Sequence, residues 1–368
     1  MVKIIINIWY NVPMLNLIDI KEELHKCSKC GLCQAECPIY KITGNDCAVS
    51  RGLFIMLKAV IDKKLKLSKK INRYLNLCLK CGACEEFCPS GIKAVDIITI
   101  AKAEYFKKSL FEKLKTFFQK HLIFSLIPSL INIFRLKEKS KSFDKKVVYF
   151  GGCYSKIKSN KALVKILNKI NIEVITPKFA CCGIPFFSRG DLQEYNNSIK
   201  SYIKILKKNQ IKDVIVTCAS CEKSLKDYIK WADDNDREFL KTINIKNVYE
   251  YLKEHKIKLK LKKDIKATYH KPCNINNYDE IEWLLCNIDG LEYVKMQDFD
   301  KCCGVNGLFK FQEYKILKNI FYPKRKNIIN TNTKIVLTSC FGCEIALKSY
   351  SLNNYKVYDL IEFIAKNI

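Results

Sequence analysis

No run among the 368 residues reaches the ~20 consecutive apolar positions that a membrane-spanning helix needs. The nearest, HLIFSLIPSLINIF at 121–134, is short and broken by Pro128. It reads as a helix packed on a domain surface, or else as a membrane-surface or partner contact. No secretory signal is recognisable. The apolar opening MVKIIINIWYNVPMLNLIDI is interrupted by Asn7, Asn11 and Pro13 and offers no small-residue cleavage site, and Met14 is an alternative start. A G-x-G-x-x-G dinucleotide loop is missing, so a flavin is expected on another polypeptide. Acidic side chains are few: 37 Asp+Glu against 65 Lys+Arg, a formal charge of +28. The surplus forms no basic stripe interleaved with aromatics. Lysine is scattered among abundant Ile and Asn, as in a chain shaped by composition bias. Nucleic acid is therefore not an expected partner; an acidic protein or a small anionic substrate is.

Cysteine is abundant, at 20 residues. In a chain of this length without a secretory signal, metal is a better reading than disulfides. The expected location is the cytoplasm, with contact to the inner face of a membrane only through a partner. Eight cysteines fall in two equal runs, CSKCGLCQAECP and CLKCGACEEFCP, each C-x2-C-x2-C-x3-C-P. The first holds Cys27, Cys30, Cys33 and Cys37, the second Cys78, Cys81, Cys84 and Cys88. In two-cluster ferredoxins the three closely spaced cysteines wrap one [4Fe-4S] cubane, and the fourth, before proline, ligates the other. The expected sets are Cys27, Cys30, Cys33 and Cys88 for one cubane, and Cys78, Cys81, Cys84 and Cys37 for the other. Zinc normally takes paired C-x2-C knuckles and four ligands, which this pattern does not resemble. An oxidised cubane with four thiolates carries about −2, so bound clusters offset part of the positive charge.

Ten further cysteines repeat at longer range. Cys153, Cys181, Cys182, Cys218 and Cys221 recur as Cys273, Cys302, Cys303, Cys340 and Cys343, with offsets that drift only from 120 to 122. That is a duplicated unit. Cys47 and Cys286 are left over and read as buried small hydrophobes. Between the two kinds of repeat, RLKEKSKSFDKK (135–146) is charged and without apolar periodicity. The expected organisation is a helical ferredoxin-type domain with two cubanes over 1–134, a linker over 135–146, and a duplicated domain over 147–368, with repeats at about 147–255 and 264–368.

Helical spacing marks 52–67 and 93–120 in the first part. In the second, β-branched runs at 146–152, 172–177, 213–217, 265–270, 291–296 and 334–339 alternate with helical stretches at 156–170, 189–209 and 311–329. The fold class is thus α+β multidomain: a helical domain, then a duplicated α/β domain with mainly parallel strands. Cys153, Cys218 and Cys340 follow strands closely, and each Cys-Cys-Gly loop follows the second strand of its repeat. Carboxyl ends of parallel strands are where such sheets build sites.

Adjacent thiols such as Cys181 and Cys182 diverge from an extended backbone and make a poor disulfide pair. Five cysteines are one more than a cubane needs. Either one is a bystander, or the centre is not a simple cube and the neighbouring thiolates bind different irons or bridge them. The following Gly183 or Gly304 lets the chain turn sharply. Zinc, or a redox dithiol at each C-x2-C pair, remains open for part of the repeat.

The motifs GGC…ACCG…CASC and KPC…KCCG…SCFGC resemble the cysteine-rich CCG domain of heterodisulfide reductases and their relatives. Two ferredoxin-type motifs followed by two CCG repeats is a layout similar to the D-type chain of heterodisulfide reductase, or to its C-type and B-type chains fused. It is also that of iron–sulfur subunits of glycolate, lactate and anaerobic glycerol-3-phosphate dehydrogenases, and of thiol:fumarate reductase. The resemblance implies a non-cubane [4Fe-4S] cluster at each CCG site, and an oxidoreductase of anaerobic electron transport that cleaves a disulfide such as the coenzyme M–coenzyme B heterodisulfide between the two. The alternative it implies is electron transfer with a separate flavoprotein subunit. Where the family often reads H-D-P-C-H, this chain has YHKPCNIN, with Lys271 and Asn274 at the altered positions. His270 is a candidate proton donor to a leaving thiolate, or a structural histidine beside the ligand loop.

Overall fold

The computed structural model describes residues 16–110, 113, 140–152, 157–177, 179, 181–275, 278–304 and 314–368. Cys153, the apolar stretch 121–134, the opening segment through residue 15 and the first part of the 135–146 linker lie outside the described residues.

The N-terminal part is a set of short helices around two cysteine loops. Ser50–Ile61 and Ala94–Lys108 are its longest described helices. Leu24, Leu53, Leu57, Leu75, Ile97, Ile98 and Ile100 are fully buried between these helices and their shorter neighbours. Apolar residues recurring every three to four positions put one face of each helix into this small core. The helix expected over 52–67 begins two residues earlier and stops at Ile61, because Lys63 turns into the left-handed region at φ 59°. Ser68 caps the following helix, Lys69–Leu77, by accepting from Ile71 N–H.

The C-terminal part contains two four-stranded sheets. The first holds β1 (Lys145–Phe150), β2 (Ile172–Ile175), β3 (Asp213–Val216) and β4 (Asn244–Asn247), in the order β2-β1-β3-β4. The second holds β5 (Leu259–His270), β6 (Ile288–Tyr293), β7 (Ile335–Thr338) and β8 (Lys356–Asp359), in the matching order β6-β5-β7-β8. Every described strand pair is parallel. The β1 and β3 residues Val147, Val148, Val214, Ile215 and Val216 are all at most 1% exposed, as expected of strands covered on both faces by crossover helices. The sequence showed six of the eight strands. The other two, NIKN and KVYD, are edge strands of four residues without a β-branched run.

The described end of the linker is tied to β2. Ser140 Oγ accepts from Val174 N–H, while Ser142 Oγ and Phe143 N–H donate to Glu173.

Packing divides the chain into two compact units that are not contiguous in sequence. One takes Met1–Phe118, Gly183–Tyr195 and Gly304–Pro323. The other takes Gln119–Cys182, Asn196–Cys303 and Lys324–Ile368. Within the first unit, two buried lysines hold the helix Ile184–Arg189: Lys80 Nζ donates to the Phe187 carbonyl at 2.8 Å and Lys102 Nζ to the Ser188 carbonyl at 2.6 Å. Gly190, at φ 87°, follows that helix so tightly against Ala103 that a Cβ there would stand 2.5 Å from its backbone nitrogen. Among the described residues no helix is long and apolar enough to cross a membrane.

Candidate metal centres

The two C-P-terminated runs are folded by their own punctuation. Cys37 precedes Pro38, the first residue of the helix Pro38–Thr43, and Cys78 closes the helix Lys69–Leu77. Proline at a helix start costs no hydrogen bond and keeps the preceding residue extended, so Cys37 points away from its own loop. The consequence is an exchange. Cys27, Cys30 and Cys33 line a hollow together with Cys88 and Cys84 of the other run. Cys78, Cys81 and Cys84 line a second together with Cys37. Each hollow thus draws on both runs, and because Cys84 borders both, the first is lined by five cysteines and the second by four.

The donor chemistry fits a thiolate-held cluster. None of the nineteen described cysteines is in a disulfide. Burial pushes the Cys33, Cys37, Cys78 and Cys84 thiols above their ordinary range. Such groups stay protonated at neutral pH unless a metal displaces the proton, which makes them poor free nucleophiles and good ligands. Lys80 N–H lies 3.4 Å from Cys78 Sγ, and its ammonium is buried beside Thr99 Oγ1 at 2.6 Å. Burial, with Lys102 close by, holds the Lys80 ammonium well below the usual lysine range. Neither lysine stands out from the sequence, where Lys80 is one of many in a lysine-rich chain.

The duplicated domain places its cysteines at the carboxyl ends of the strands, at the point where strand order reverses in each sheet. In the first repeat Cys182 and Cys221 are buried, and the Cys221 thiol contacts both Cys182 and Cys218. The Cys182 carbonyl is fixed by Ser224 Oγ at 2.7 Å and Tyr228 OH at 3.0 Å. In the second repeat Cys273 contacts Cys302, and Cys303 Sγ lies 3.2 Å from Cys343 Sγ. Gly183 and Gly304 occupy the left-handed region at φ 75° and 81°, the sharp turn expected after each double cysteine.

The two repeats meet at their C-x2-C loops. Cys218 and Cys340 share a hydrogen bond, Ser220 Oγ lies 3.2 Å from Cys340 Sγ, and Ala219 N–H donates to the Ser339 carbonyl at 2.9 Å. Asn274, at one of the altered positions, donates to Ser220 Oγ at 3.1 Å and joins the second repeat's first cysteine loop to this contact. Hydrogen bonds from Cys218 and Cys343 pull the Cys340 thiol down, whereas neighbouring thiols and burial push Cys221, Cys273 and Cys343 up. Cys182, Cys218 and Cys221 of the first repeat and Cys273, Cys302, Cys303, Cys340 and Cys343 of the second therefore form two adjacent groups of sulfur, with Cys153 outside the described residues.

Four side chains complete or correct the sequence reading. Lys324, 3% exposed, donates to the Asp298 carbonyl beside Cys302 and Cys303, and burial lowers its ammonium to about 8. No sequence pattern marked it. Cys47 is only half-buried and Cys286 is exposed at the end of its helix, so neither is the buried hydrophobe expected. His270 ends β5 with no exposed surface. Burial, reinforced by Lys324, lowers it to about 3, so the ring is neutral at physiological pH.

Comparison with known proteins agrees with this division. Residues 23–92 match the 4Fe-4S dicluster domain, and residues 147–226 and 267–348 each match the cysteine-rich domain. The chain is 26% identical to a Bacillus subtilis protein named "Probable glycolate oxidase iron-sulfur subunit", over 89% of this chain and 88% of that one. It is 25% identical to the D-type chain of the dihydromethanophenazine:CoB–CoM heterodisulfide reductase of Methanosarcina acetivorans, over 88% of each. Among solved structures, a hypothetical protein from Helicobacter pylori shares the fold at TM-score 0.52 and 15% identity, over 86% of this chain and 67% of that one.

Proposed function

We infer, from the premise that this chain belongs to the iron–sulfur proteins joining a 4Fe-4S dicluster domain to paired cysteine-rich domains, as the D-type chain of heterodisulfide reductase does, that it is an oxidoreductase component reducing a disulfide at the paired sites. Cys27, Cys30, Cys33 and Cys88 would hold one cubane, and Cys37, Cys78, Cys81 and Cys84 the other. Cys153, Cys181, Cys182, Cys218 and Cys221 would hold a third centre, and Cys273, Cys302, Cys303, Cys340 and Cys343 a fourth. Such clusters, when bound, supply electrons one at a time.

The observation that carries the reading is the direct meeting of the two repeats at Cys218 and Cys340. A disulfide needs two electrons and releases two thiolates, and paired adjacent sites suit both needs. The chain's residues bind and orient. Ser224 and Tyr228 fix the Cys182 loop, Asn274 and Ser220 hold the contact between repeats, and the Lys324 ammonium offers a positive charge to an anionic thiolate. A separate flavoprotein or other electron donor is the expected partner. The test is low-temperature electron paramagnetic resonance of the oxidised, anaerobically purified chain after thiol addition. A thiol-dependent signal supports disulfide chemistry, and its absence overturns it.

The similarity to the glycolate-oxidase-type protein over nearly the same span favours a second reading. In it the same clusters exchange electrons with a flavin partner, receiving them where that partner oxidises a 2-hydroxy acid or glycerol 3-phosphate and delivering them where, in a thiol:fumarate oxidoreductase, it reduces fumarate. Reduction of the clusters by such a partner, without any thiol-dependent signal, distinguishes it.

A further inference from the structure

The two repeats stay in register from their first strand to their first cysteine, and at one buried position of that register a hydrocarbon ring in the first faces an imidazole in the second. Phe150 ends β1, three residues before Cys153; His270 ends β5, three residues before Cys273. Both are buried, at 2% and 0% exposure. Phe150 packs against Phe179 and Tyr202, with ring centroids 4.8 and 5.9 Å away, as an ordinary core aromatic. His270 occupies the equivalent place with two ring nitrogens, and neither completes a hydrogen bond of good geometry. A buried imidazole in that state carries a real cost unless something satisfies it.

What it faces is sulfur. A ring nitrogen of His270 and the Sγ atoms of Cys303 and Cys343 all lie within 4.8 Å of one another. The Phe299 carbonyl is close enough to the ring to favour a proton on it, and it already accepts from Lys271 N–H at 3.0 Å. That leaves one nitrogen to keep its proton toward a carbonyl and the other to offer a lone pair to the sulfur pocket. Metal-ligating histidines are held in this way.

We propose that the second cysteine-rich centre is a mixed imidazole–thiolate site, with His270 ligating metal beside Cys303 and Cys343, whereas the first centre, with Phe150 at that position, is held by sulfur alone. The tandem sites are then chemically unequal. With five cysteines and an imidazole at the second site, His270 takes an iron position that one of those thiolates would otherwise hold, which removes negative charge from the centre and raises its potential, as replacement of two cysteines by histidines does in Rieske centres. Electrons arriving at the pair settle first on the second site. The proposal rests on the reading that these sites hold iron–sulfur clusters.

The experiment uses the full chain purified anaerobically in two forms, with natural-abundance and with nitrogen-15 histidine. The centre that responds to thiol or to partial reduction is examined by pulsed electron paramagnetic resonance. A nitrogen modulation characteristic of a directly bound imidazole, altered by the label and lost in His270→Phe, is the expected result. Where His270→Phe fails to accumulate, a triple variant replacing His25, His121 and His255 with glutamine leaves His270 as the sole histidine, and the modulation must persist there. Modulation insensitive to the label, or surviving His270→Phe, or absent from the triple variant, overturns the ligand role while leaving the clusters in place. A second site with no iron signal of any kind overturns the cluster reading and the ligand role together.

Discussion

At the residue scale, the eight N-terminal cysteines were legible because their spacing is dictated by the geometry of what they hold, and a trailing proline records where the fourth one points. Their exchange between hollows, Cys37 in one direction and Cys88 in the other, is the structural expression of that spacing. Replacing Cys37 with serine is therefore expected to damage the cluster of Cys78, Cys81 and Cys84, and to spare that of Cys27, Cys30 and Cys33. Spectra of the reduced variant check this, since loss of the cluster near Cys27 instead would reverse the assignment. Lys80, Lys102 and Lys324 were invisible by contrast. Lysine is everywhere in this chain, and only tertiary packing distinguishes a buried ammonium from a solvated one. His270 was visible as a histidine near a ligand loop, but the contrast with Phe150 acquired meaning only once both were seen to be buried.

At the element scale, six strands announced themselves through β-branched runs: the central β1, β3, β5 and β7, where cover on both faces favours apolar residues, and the edge strands β2 and β6. The opposite edges, β4 and β8, are four residues each, and their sequences NIKN and KVYD hold no β-branched run to mark them. The attachment of the helix Ile184–Arg189 to Lys80 and Lys102 was equally hidden, because hydrogen bonds to carbonyls leave no side-chain pattern behind. The close fit of Gly190 on the helix Ala94–Lys108 gives a direct check. Gly190→Ala must both hold alanine at φ 87° and displace Ala103, and it is expected to cost upwards of ~2 kcal/mol. Gly91→Ala, at φ 62° in open space, meets only the backbone strain of about 1 kcal/mol. Thermal unfolding of the two cluster-loaded variants should rank Gly190→Ala clearly below Gly91→Ala; equal midpoints would deny the close contact.

At the scale of the whole molecule, the repeat was legible from cysteine offsets alone, and the two sheets reproduce it in strand order. The compact units were not legible, because the segments Gly183–Tyr195 and Gly304–Pro323 leave their repeats to pack in the unit that contains the N-terminal cysteines. Both segments begin at the glycine that follows a double cysteine, so the turn after each Cys-Cys pair is where one compact unit gives way to the other along the chain. The function proposed rests on the pair of sulfur pockets in the other unit, and the most direct measurement addresses their buried cysteines. Reduced viologen dye should drive turnover of a panel of disulfides by the full chain under anaerobic conditions. Cys182→Ser and Cys303→Ser should each abolish that turnover while the clusters of the N-terminal motifs remain reducible. An unaltered rate in either variant, or no turnover of any disulfide by the parent chain, would contradict the disulfide-reductase reading and leave electron transfer to a flavin partner in its place.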